Sequence, residues 1–187
     1  MYVRNYQTKK NAIINNYNHS NYTQRINIKM KENVLDVLMY LFETYIETES
    51  EPETNHNTMR IDLIKAGFNN NEIDKAFDWL DGLTKNNEGT IGKLHDNNAN
   101  RIYNDAELNR LNSNCRGFIC YLEQINILSA SQRELLIDRL LALETNEIEI
   151  DQIKWIVLMI LFSQPGQEIA YSKMEDLLFD SRSDFLH

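Results

Sequence analysis

The sequence predicts an all-α protein, a compact multi-helix domain with a helix-turn-helix-like N-terminal part and at most one short β-hairpin. Three observations carry this expectation. Two prolines and six glycines punctuate 187 residues, so helices meet few breakers and hairpins lack their preferred turn residues. Apolar side chains recur at helical spacing through most of the chain. Ser, Asn and Asp stand repeatedly where such stripes begin, as helix caps do.

The first 29 residues hold seven asparagines, four isoleucines, four tyrosines and no acid. They show no amphipathic period and read as a disordered basic extension. Asn, Ile, Lys and Tyr are all encoded by A/T-rich codons, so Met30 is an alternative translation start, and a genuine basic tail is the competing reading. Residues 30–103 read as a helical N-terminal subdomain and residues 104–187 as a helical C-terminal subdomain.

From Val34 the pattern becomes amphipathic. Val34, Val37, Leu38, Leu41 and Tyr45, beside Leu35, Phe42 and Ile46, form a broad stripe opposite Asp36, Glu43 and Glu47. Pro52 and its polar neighbours mark a loop. A helix near Thr58–Ala66, a turn at Gly67–Asn69 and a helix near Asn70–Leu83 follow, with Gly67 suited to the left-handed position and Asn69 or Asn70 to the cap. The second of these helices carries Glu72, Asp74, Asp78 and Asp81 against Lys75 alone, so it is a poor reader of DNA. Residues 92–95 and 101–103 are the candidate hairpin strands.

Beyond Asn104 the pattern is helical throughout. Asn104 or Asp105 opens a short helix to Leu111, and Ser113 a longer one with Cys115, Phe118, Ile119, Leu122 and Ile125 on one stripe. Ser131 and Glu134 have capping-box spacing ahead of Leu136, Ile137, Leu140 and Leu143. Residues 147–150 alternate and read as extended. The segment from Asp151 to Phe162 is apolar on all sides, as a central buried helix would be. Pro165-Gly166 ends it, and a last helix runs from Glu168 to Phe179.

Composition excludes several functions. Five of the 19 basic residues lie in the first 29, leaving 14 against 28 acids, a formal −14 for the remainder compared with −9 for the whole chain. Such a body repels phosphate backbones and anionic headgroups, and basic proteins are the easier partners. The longest apolar run, Trp155–Phe162, is far shorter than the ~20 residues a bilayer requires, and the start lacks a signal-peptide stretch. Cys115 and Cys120 on one helix would stand about 140° apart around the axis and ~7.5 Å along it, poor disulfide geometry. A reduced, cytoplasmic protein with no membrane association is expected.

The residues suggest no chemistry. His19, His56, His95 and His187 are dispersed, without ligand spacing, so neither a metal site nor a cofactor is expected. Gly89-Thr-Ile-Gly92-Lys93 fails as a phosphate loop, because Asn87 stands where the first glycine belongs and Leu94 where Ser or Thr is required. Arg116 beside Cys115 is the one thiolate-activating feature, outweighed by burial of the thiol. Gly117, inside an amphipathic helix, costs about 1 kcal/mol relative to alanine. It reads either as a close-approach surface for a partner, anchored by Arg116, or as tight helix packing, the commoner use.

From Met30 to His187 the chain resembles the Smg family of bacterial proteins. The resemblance rests on the stretch Val34–Ile46, on Arg101-Ile-Tyr103, Cys115-Arg-Gly-Phe118, Leu122-Glu-Gln124 and Leu141-Ala-Leu143. It continues through Lys154-Trp155, Val157-Leu158-Met159, Leu161-Phe162, Pro165-Gly166 and Met174–Phe179. It implies a cytosolic bacterial protein whose gene often neighbours a DNA-processing gene, and it brings no catalytic residues. The expected function is therefore a non-enzymatic protein-interaction or regulatory module, with Arg101, Tyr103, Arg116 and Gly117 as candidate partner-binding residues. The alternative is an accessory factor in DNA processing that contacts nucleic acid through Lys93, Arg101, Arg110 and Arg116.

Overall fold

The computed structural model of the chain describes residues 33–46, 56–89 and 101–180, which hold eight helices and no strand. In order these are α1 (Val34–Ile46), α2 (His56–Lys65), α3 (Asn70–Gly89), α4 (Asp105–Arg110), α5 (Ser113–Gln124), α6 (Ala130–Leu141), α7 (Ile150–Ser163) and α8 (Glu168–Asp180). The chain divides into two compact units, Met1–Asp74 and Lys75–His187.

In the first unit, α1 buries Val34, Leu35, Val37, Leu38 and Leu41, the stripe legible in the sequence. The Asn33 side chain accepts the Asp36 amide at 2.9 Å and caps the helix. Helix α2 ends where Gly67 takes φ +97°. The Phe68 amide then donates to the Leu63 carbonyl and the Gly67 amide to that of Ile64. This is a Schellman turn, sealed by buried Leu63 and Phe68. Asn69 accepts the Glu72 amide at 2.9 Å and starts α3. The expected helix-turn-helix connection is therefore present. Its second helix runs to Gly89, beyond Leu83, because no breaker intervenes.

The second unit is built around α7. Ile153, Ile156 and Val157 through Leu161 are buried, and α5, α6 and α8 all pack against this helix, while α4 and α5 also pack against α6. The central apolar helix of the sequence reading is this one. The outer part of α3 contributes Ala76, Phe77, Trp79 and Leu83 to the buried set. The Trp79 indole N–H donates to the Arg139 carbonyl at 2.9 Å, and Arg139 donates back to the Trp79 carbonyl at 3.2 Å. A Cβ at Gly82 would meet the Arg139 guanidinium at 1.8 Å, so this glycine permits the close approach.

The caps differ from expectation in detail. Asn104 caps α4 in a reciprocal box with Glu107, and Asn112, not Ser113, caps α5. Ser129 forms a reciprocal capping box with Gln132 and opens α6, so Ser131 falls inside the helix, and Glu134 pairs with Arg101 and Arg133 instead. Ser129→Ala is expected to destabilise the chain by about 1 kcal/mol and Ser131→Ala by less than about 0.5 kcal/mol in urea denaturation. Equal losses would restore the Ser131 cap. Of the candidate hairpin, residues 92–95 lie outside the described residues, and Arg101–Tyr103 is irregular, with no strand pairing.

Candidate functional site

The segment before α4 is held by side chains. Asn104 fixes the first turn of α4 by accepting the Glu107 amide at 3.0 Å, and the Glu107 carboxylate accepts the Asn104 amide at 2.9 Å. That places Glu107 where Arg101 grips it with two parallel hydrogen bonds of 2.7 and 2.6 Å. The Arg101 Nε–H is directed to both oxygens of Glu134 on α6, at 2.9 and 3.0 Å. Arg133 also donates to Glu134, at 2.9 Å, and to Glu123 on α5, at 2.9 and 3.0 Å. Five charged side chains thus run in sequence, Glu107, Arg101, Glu134, Arg133 and Glu123. They tie α4, α5 and α6 together.

Burial sets the electrostatics. The Arg101 and Glu107 side chains are 16% and 8% exposed, so each needs the other to remain charged. The hydrogen bond from Arg101 holds the Glu107 carboxyl below its ordinary value, against burial. Glu107 in turn raises Arg101. Burial pushes Glu134 up, but hydrogen bonds from Arg101 and Arg133 outweigh it and leave Glu134 lowered. The Tyr103 ring lies under two guanidinium groups, Arg101 at 4.6 Å and Arg116 at 5.7 Å, and burial raises its hydroxyl pKa.

Three of the four candidate partner-binding residues, Arg101, Tyr103 and Arg116, are therefore brought together. Arg116 also donates to the Leu111 carbonyl. Between Arg101 and Tyr103, Ile102 is 91% exposed. Gly117 stands next to Arg116 and is exposed, and a Cβ built there meets no atom of the described residues within 4 Å. Among the described residues nothing packs against Gly117, so its tight-packing reading is overturned; the crowded glycine is Gly82, which lies against the Arg139 guanidinium.

Around Gly117 the outer positions of α5 are Ser113, Asn114, Cys120, Tyr121 and Gln124, all exposed and none charged. The two charges on the helix, Arg116 and Glu123, are half-buried and engaged in the contacts above. Phe118 stacks on Tyr121 with ring centroids 6.4 Å apart.

The Cys115 thiol is buried and donates to the Ile148 carbonyl at 3.1 Å, and burial raises its pKa, so it is a core thiol. Cys120 is exposed, and neither cysteine is in a disulfide. Arg110 caps the C-terminal end of α6 through the carbonyls of Leu141, at 2.6 Å, and Leu143. Lys93 lies outside the described residues. Among the described residues no three His, Cys, Asp or Glu side chains converge as metal ligands, and no helix is long and apolar enough to cross a membrane.

Sequence reasoning missed Glu107, Glu123, Arg133 and Glu134. Glu107, by its spacing from Asn104, and Glu134, by its spacing from Ser131, showed only as capping-box patterns. The uncharged face of α5 was readable from helical spacing opposite Cys115, Ile119 and Leu122.

Residues 34–187 match the family described as a protein of unknown function, DUF494. A protein Smg homolog of Thioalkalivibrio sulfidiphilus is 48% identical over 158 residues, covering 84% of this chain and 100% of that protein. Homologs of Nitrosococcus oceani and Alkalilimnicola ehrlichii are 46% and 47% identical over 159 and 160 residues, with the same coverage. No solved structure matches the chain.

Proposed function

The chain belongs to the DUF494 family of Smg homologs, and from that premise we propose that it is a non-enzymatic protein-interaction or regulatory module of the cytoplasm, docking partners through α5. The observation that carries the reading is Gly117. A mid-helix glycine costs about 1 kcal/mol relative to alanine, and no described residue uses the space above it. A close backbone approach from outside is the use left for it. The ion-pair network beneath keeps α5 and the Arg101–Tyr103 segment in one arrangement, which lowers the entropic cost of docking. Two free cysteines accord with a reducing compartment.

The DNA-associated alternative draws less support. Arg101 already holds two carboxylates, and Arg110 and Arg116 hold backbone carbonyls, so phosphate contacts would have to displace intramolecular bonds. Capture of the tagged chain from host cells, with and without nuclease, tests the reading. Wild type is expected to retain a stoichiometric protein through nuclease treatment, and Gly117→Leu to lose it. Recovery of nucleic acid alone, or capture abolished by nuclease, would transfer the assignment to DNA processing.

A further inference from the structure

We draw no further inference here: the strongest candidate, the uncharged outer face of α5 around Gly117 and Tyr121, belongs to the site already described, and nothing in the structure shows what covers it.

Discussion

Replacing Arg101 with methionine is expected to destabilise the chain by about 3 kcal/mol, the scale seen when one member of a buried ion pair is removed. The loss comes chiefly from Glu107. Its side chain is 8% exposed, and without the two guanidinium bonds it keeps only the Asn104 amide as a donor. Glu134, being 39% exposed, can turn to water and Arg133 and adds little. Urea denaturation followed by tryptophan fluorescence is well placed to read this, because both tryptophans, Trp79 and Trp155, lie in the same compact unit as Arg101. Arg101→Lys keeps the charge but not the planar fork and should recover only part of the loss. Combining Arg101→Met with Glu107→Gln removes the stranded charge while retaining an acceptor for the Asn104 amide. The double variant should therefore be more stable than the sum of the single losses predicts. Strict additivity would mean that the pair is not coupled.

The same network gives an acid dependence of known sign. Glu107 and Glu134 both have folded pKa values below the ordinary 4.5, so the unfolded chain binds more protons as acid is added. Their contribution is complete above pH 4.5 and is lost as pH falls through the depressed folded values. Wild type and Arg101→Met should accordingly converge in stability below pH 4.5 and differ most near neutrality. A gap that stays constant down to strong acid would show that the Arg101 loss is one of packing and not of charge.

Ile156→Ala, in the middle of α7, should cost about 3 kcal/mol or more, within the usual 2–5 kcal/mol for large-to-small changes in a core. Ile156 is fully buried on the helix against which α5, α6 and α8 all pack, so no single neighbour can collapse into the void. Phe162 on the same helix provides the contrast. It is 54% exposed, and although its ring reaches Tyr171 at 6.3 Å, Phe162→Ala should cost less than about 1 kcal/mol. Thermal melts of the two variants compare them directly. Equal losses would mean that α7 is not the centre of the core.

That contrast marks how far the sequence could be read. The run from Trp155 to Phe162 is apolar without interruption, so periodicity identified a buried helix but could not tell Ile156 from Phe162. Only the packing of α8 and its neighbours distinguishes them. Gly67 is the opposite case. A left-handed turn needs a residue without a Cβ penalty, so the position was legible, and φ is +97° there. Asn126 takes φ 56° at the end of α5 with no glycine to announce it.

The sequence by itself determined the helical class, most helix positions, the acidic body and the lack of a recognisable catalytic motif. These follow from composition and from local periods of a few residues, which each helix satisfies largely within itself. Tertiary structure decided which charges are buried and which glycine is crowded. Arg101 meets Glu134 across 33 residues, and Gly82 meets Arg139 from another helix, while Gly117 meets no described residue. Burial and pairing depend on residues far apart in the chain that the core brings together, and no local pattern contains them.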